Sequence, residues 1–325
     1  LILFTIFLLA LIVLSVACQA AGTWMDAVRY PPPGRLTNAG LHVQQTGNGA
    51  TCVLLESGLA ATSLSWVLTQ PGISRFARAI SYDRAGLGYS SDAKAPHSLH
   101  ALLDDLHTLI ATTGAPCVLA GHSFGGLLVQ AYAHLHPENV AALVLIDPVS
   151  LATWANPSLQ ERNRLSLGAK LCRRGAFLAR LGIVRAALIL LTSGGRSIAG
   201  FIGRVSAGKG SSVMARLAGE VAKLPPETHP LIRAHWSRPR SFLKLAEYLE
   251  DLPTAAQSAI AMPPPLHIPM TILSAATATS AEMQERDNWI AQRPGSRHEH
   301  IPGTSHWIQL DRPDAVINAI RAHIE

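Results

Sequence analysis

The chain has too few cysteines for a disulfide scaffold: four in 325 residues. Their spacing does not suggest zinc either. There is no Cys-x-x-Cys, no His-Glu-x-x-His and no tight cluster among the 14 histidines. The sequence therefore calls for no metal and no organic cofactor. Charge is scarce at 15%, against 48% hydrophobic residues, a balance that excludes disorder and permits a large core. The net charge is +6, yet lysine and arginine are dispersed. Without a long basic run or an aromatic–basic stripe, nucleic acid is excluded as the partner. The basic balance suits anionic lipid headgroups better.

Residues 1–25 hold no charge at all, and Leu1 to Ala17 is almost wholly apolar. That length suits a membrane-spanning helix or a long signal-peptide core. Cys18-Gln19-Ala20-Ala21-Gly22 supplies small residues for a cleavage site. Length favours a retained anchor, while a cleaved signal that exports the rest and a buried core helix stay open. The side of the membrane is not set.

Residues 26–35 contain Tyr30-Pro31-Pro32-Pro33-Gly34-Arg35, a stiff extended linker. Leu36 to Thr46 reads as edge strands. Thr51–Leu55 is a continuous apolar run, the pattern of parallel strands covered on both faces, and Ala77–Tyr82, Cys117–Ala120, Ala141–Ile146 and Ile268–Leu273 read as further strands. Between them, Ser98 caps an amphipathic helix with Leu99, Leu102, Leu103, Leu106, Leu109 and Ile110 on one face. Strand–helix–strand alternation indicates a doubly wound α/β domain over 36–148 and 266–325. The rhythm breaks over 149–265, read as a helical lid that covers the site and leaves through Met262-Pro263-Pro264-Pro265. A last strand near Arg297–Ile301 precedes a helix opened by Pro313.

The chemistry centres on Gly121-His122-Ser123-Phe124-Gly125-Gly126. A strand precedes it and a helix follows, which makes it a nucleophile elbow rather than a chance Gly-x-Ser-x-Gly. A serine hydroxyl needs a histidine base, and the base needs a carboxylate. His306, in Gly303-Thr304-Ser305-His306 after the last strand, is the natural base. Asp83 and Arg84 read as an ion pair bracing the loops, and His122 as a packing residue.

With Leu55-Glu56-Ser57-Gly58-Leu59 and Tyr82-Asp83-Arg84-Ala85-Gly86, these residues resemble bacterial serine hydrolases of the α/β-hydrolase superfamily. The resemblance implies an eight-stranded, mostly parallel sheet with a lid inserted after the sixth strand. It also implies the chain order nucleophile, acid, histidine. In many members the acid follows the seventh strand, but here Ser274–Ser280 has no carboxylate. Asp147, after the sixth strand, is the favoured acid, with Glu282 and Asp287 as alternatives. By the same resemblance, the oxyanion donors are the backbone N–H groups of Phe124 and Leu59. The implied activity is hydrolysis of a carboxylic ester, on a hydrophobic small-molecule acyl substrate, through an acyl-enzyme. Amide, thioester or carbon–carbon hydrolysis, acyl transfer, and a non-catalytic membrane-anchored binding protein remain as alternatives.

Overall fold

The computed structural model describes residues 2–93, 95–114, 116–193, 219–221 and 223–325. Residues 194–218 of the expected lid lie outside the described residues. The chain forms two compact units, one of residues 34–162 and 250–325, the other of residues 1–33 and 163–249.

The first unit is built on an eight-stranded sheet. Its strands are β1 (Arg35–Leu36), β2 (His42–Thr46), β3 (Cys52–Glu56), β4 (Arg78–Asp83), β5 (Cys117–His122), β6 (Val140–Ile146), β7 (Met270–Ala275) and β8 (Arg297–Ile301), in the order β1-β2-β4-β3-β5-β6-β7-β8. The strands β4, β3, β5, β6, β7 and β8 are parallel, and β1 and β2 join antiparallel at one edge. The apolar runs reflect burial on both faces. Val53, Leu55, Val118, Ala120, Val144 and Ile146 share one core with Val316 and Ile320 of the C-terminal helix. Leu54, Leu119, Leu143 and Leu145 alternate with them, face the opposite way and are equally buried. Each such side chain contributes about 1.5–3 kcal/mol by leaving water.

Ser98 accepts a hydrogen bond from Ala101 N and opens the helix Leu99–Ala111, whose six predicted apolar residues are all buried. Register places the working ends of the strands together: Glu56 pairs with Gly121, His122 with Ile146, and Ala275 with Ile301. Loops leaving β3, β5, β6 and β8 therefore meet at one end of the sheet, where parallel α/β folds collect ligands.

Between β6 and β7 the described residues form helices joined by turns and loops, and no strand occurs among them. The helices include Leu151–Ala155, Leu159–Arg180, Ile183–Ser193, His229–Trp236 and Pro239–Ile260.

The second unit includes the N-terminal helix, Ile2–Arg29. Its apolar stretch is almost wholly exposed, with mean hydropathy 2.6 over 18 residues, long and apolar enough to cross a membrane. Its later part instead presents Ser15, Gln19, Gly22, Thr23 and Asp26 on one face, at helical spacing. Ser15 Oγ donates to Leu181 O. Gln19 Nε2 donates to Ser237 O at 2.9 Å. Arg185 reaches Gln19 Oε1 at 2.8 Å, Asp26 Oδ2 at 2.5 Å and Thr23 Oγ1 at 3.2 Å. Gly22 leaves room for that guanidinium, since a Cβ there would lie 2.9 Å from Arg185 Cδ.

Candidate active site

Ser123 sits between β5 and the helix Phe124–Leu135, with φ 54° and ψ −117°. That region is unfavourable for any residue with a Cβ. The elbow is held by Ser123 N donating to Ile146 O at 3.0 Å. It also requires its glycines. A Cβ on Gly121 would meet Gly125 O at 2.5 Å, and one on Gly125 would collide with the carbonyl oxygens of Glu56 and Ser57. His306 Nε2 lies 2.9 Å from Ser123 Oγ. On its other side, His306 Nδ1 lies 2.6 Å from Asp147 Oδ2. An ionised carboxylate can only accept, so Nδ1 carries a proton to it and Nε2 is left to accept from the serine. Asp147 comes from the end of β6, again in a left-handed conformation (φ 40°).

The structure thus brings together the three residues expected from sequence. Glu282 and Asp287 are occupied elsewhere. Glu282 completes a capping box with Thr279 on the helix Ser280–Ile290, and Asp287 Oδ1 lies 2.7 Å from His298 Nδ1.

A sequence model of the α/β hydrolase fold family matches residues 51–173. Over that stretch the chain is similar to this family, and its eight-stranded sheet has the α/β-hydrolase fold. Among curated proteins it is similar to the 2-hydroxymuconate semialdehyde hydrolase of Pseudomonas sp. (strain CF600), with 32% identity over 138 residues, 38% of this chain and 49% of that one. It is also similar to the human (lyso)-N-acylphosphatidylethanolamine lipase, with 30% identity over 106 residues, 31% of each chain. The chain spans about half or less of the length of the curated relatives it matches. A thermophilic esterase structure from Thermogutta terrifontis aligns over 87% of this chain and 92% of its own, with TM-score 0.57 and 20% identity, and shows the same fold.

Within this α/β-hydrolase fold the structure adds residues that sequence reading missed. Arg286, 2% exposed on the helix Ser280–Ile290, donates to Asp147 Oδ1 at 2.9 Å, Pro148 O at 2.7 Å and Ser274 Oγ at 2.6 Å. Ala275 N also donates to Asp147 Oδ1, at 3.2 Å. Burial pushes the Asp147 carboxyl up. The His306 hydrogen bond and charge, Arg286 and the Ala275 N–H together outweigh burial and hold it at about 2. The loop after β7 lacks a carboxylate, and Arg286 lies beside it. A buried cation there needs an anion, and Asp147 supplies it.

His122 is buried as expected, but it also holds the His306 loop: its Nε2 donates to His306 O at 2.9 Å. Ser305 N and Oγ donate to Asp311 Oδ2 at 2.8 and 2.6 Å, fixing the same loop.

The two residues expected to form one bracing pair find other partners. Arg84 Nη1 meets Glu56 Oε1 at 2.7 Å and donates to Ser57 O at 2.9 Å, while its Nη2 donates to Gly58 O. Tyr82 donates to Glu56 Oε2. Burial pushes the Glu56 carboxyl up, against the charge of Arg84 and these hydrogen bonds. Asp83 Oδ2 meets His42 Nδ1 at 2.9 Å, and its carboxylate accepts from Ser63 N at 2.8 Å and Tyr89 N at 3.0 Å. Burial pushes the Asp83 carboxyl up too, but the His42 contact and backbone donors hold it below its ordinary value.

The Glu56–Arg84 pair therefore grips the loop beginning at Ser57. Gly58 lies against Ser123, since a Cβ there would sit 3.6 Å from Ser123 Cβ. Leu59 follows, half-buried, and then Ala60 with φ 52°. Ala60, Ser123 and Asp147 are the three non-glycine residues with positive φ among the described residues, and all three belong to loops at this end of the sheet. Each costs about 1–3 kcal/mol, the kind of strain that collects at functional sites.

Proposed function

We propose that this protein is a serine hydrolase that cleaves carboxylic esters through an acyl-enzyme. The observation that carries this reading is the unbroken chain Ser123 Oγ–His306 Nε2/Nδ1–Asp147 Oδ2, at 2.9 and 2.6 Å. Ser123 Oγ attacks the acyl carbonyl as its proton passes to His306 Nε2. Asp147 stabilises the imidazolium without taking a proton. The N–H groups of Phe124, which opens a helix behind the nucleophile, and of Leu59, on the loop held by Arg84, stabilise the oxyanion. His306 then protonates the departing alkoxide. Water, deprotonated by the same His306, attacks the acyl-enzyme and releases the acid and Ser123.

We take the helical segment after β6 as a lid, and its apolar residues favour a hydrophobic small-molecule acyl substrate. The test is hydrolysis of p-nitrophenyl esters from acetyl to palmitoyl, beside matched amides, carbamates and thioesters. Ester turnover rising with chain length is expected. An amide, carbamate or thioester turned over faster than every ester would overturn the ester assignment, and a short-chain-only profile would overturn the hydrophobic acyl group.

We further propose that the helix Ile2–Arg29 is a retained membrane anchor. Cleavage after Gly22 would remove Ser15 and Gln19, and with them the contacts to Leu181 O, Ser237 O and Arg185. The intact mass of the chain extracted from membranes should include residues 1–25, and a mature chain beginning after Gly22 would contradict this.

A further inference from the structure

Given the Ser123–His306–Asp147 triad of the proposed function, we propose that Ser274 and His298 position its acid, by holding the arginine that holds Asp147. Arg286 Nη1 donates to Asp147 Oδ1 at 2.9 Å and to Ser274 Oγ at 2.6 Å. On its other side Ser274 Oγ lies 2.6 Å from His298 Nε2, and His298 Nδ1 lies 2.7 Å from Asp287 Oδ1. Asp287, His298 and Ser274 thus repeat the bonding of Asp147, His306 and Ser123, with one arginine between the two sets. Ser274 ends β7, His298 lies on β8, and Arg286 lies on the helix that joins these strands.

The second set is not a second nucleophile. Ser274 is 0% exposed, and its oxygen is bound to Arg286. Its role follows from the direction of each hydrogen bond. A guanidinium can only donate, so Ser274 accepts from Arg286 and its own proton goes elsewhere. His298 Nε2 is the acceptor in reach. The ring proton of His298 is then on Nδ1, where Asp287 accepts it. The His298 side chain is only 4% exposed, so water does not replace it beside Ser274. Asp287 is exposed, and any acceptor serves at that end. The chain therefore depends on Ser274 and His298. A guanidinium is planar, so Ser274 Oγ and Pro148 O, which accepts from Nη2 at 2.7 Å, together fix its plane. That plane aims the N–H at Asp147 Oδ1, and the other oxygen of Asp147 orients His306. Ser274 and His298 are positioning residues, acting through Arg286.

The test uses the full chain and a soluble ester. His298→Leu removes the acceptor, and Ser274→Ala removes the hydroxyl. Each should lower kcat about tenfold, within the range that misplacing a catalytic group costs. KM should stay within about twofold. The double variant should fall no further than either alone, whereas independent effects would multiply to about a hundredfold. His298→Gln, whose amide oxygen accepts the Ser274 proton, should recover most of the loss. Melting temperatures report folding, and if His298→Leu unfolds, Ser274→Ala carries the comparison. The low-field proton resonance of His306 Nδ1–H, absent from His306→Ala, gives a reading that needs no turnover. It should shift in His298→Leu and in Ser274→Ala. A wild type that turns over no ester would end the hydrolase reading, and the resonance would still test the chain. An unchanged kcat, an unchanged resonance or fully additive losses in the folded variants would overturn the proposal.

Discussion

The two units treat polarity in opposite ways. In the sheet unit, charged groups are buried and matched. Asp147, Arg286, Glu56 and Arg84 are each below a tenth exposed and each has a charged partner. In the helical unit, the Arg185–Asp26 ion pair and Gln19 dock one helix, while Leu167, Phe177, Ile183 and Leu190 stand exposed. Buried, matched charges hold side chains in one arrangement, which bond-breaking chemistry requires. Exposed apolar side chains instead call for an apolar surrounding, which a membrane provides. On the proposed function, the sheet unit carries the chemistry and the helical unit meets a membrane surface.

The sharpest way to break this comparison is at the acid. Asp147→Asn should lower kcat for a soluble ester by about 10³–10⁴-fold, through loss of the His306 tautomer. Glu282→Gln and Asp287→Asn should stay within about twofold. Near-full activity in Asp147→Asn would show that the buried network serves the fold alone.

Next comes its brace. Arg286→Met leaves Asp147 buried without its cation and should destabilise the sheet unit by about 3–5 kcal/mol in denaturant unfolding. It also moves the response to acid. The Asp147 carboxyl is held at about 2, below its ordinary 3.8. Its ionised form therefore stabilises fully above about pH 4, and that contribution is lost as pH falls toward 2. Removing Arg286 should raise this carboxyl toward 3.8, so that the acid-induced loss is smaller and is complete at a higher pH. An unchanged acid-unfolding curve would mean that Arg286 does not set the ionisation of Asp147.

The smallest effect belongs to the helical unit. Arg185→Gln should loosen the N-terminal helix by about 1–2 kcal/mol, seen as faster proteolysis after the helix. Turnover of a soluble ester should stay within about twofold of wild type. A tenfold fall would show that the two units do not divide the work as described.

Ser123 and His306 were legible in the sequence because the elbow writes its steric demands locally. Glycines at 121 and 125 clear the backbone, and an apolar strand leads in. The strands were legible because burial on both faces removes alternation. Arg286 was not. Its partner is 139 positions away, and within Ser280–Ile290 it reads as one more polar residue on a surface helix. The missing carboxylate in Ser274–Ser280 was the available signal, since it shows that the acid must come from elsewhere. The partners of Asp83 and Arg84 were misjudged for the same reason. Adjacent residues on a strand end point apart, and each met a partner from another strand, His42 or Glu56. Gln19, polar amid an apolar run, foreshadowed a docked face on the N-terminal helix.

The most direct measurement is labelling with a fluorophosphonate, which reacts only with an activated serine. Wild type should carry one adduct, located on Ser123 by peptide mass spectrometry, and Ser123→Ala and His306→Ala should carry none. An unlabelled wild type, or an adduct that survives Ser123→Ala, would contradict the account.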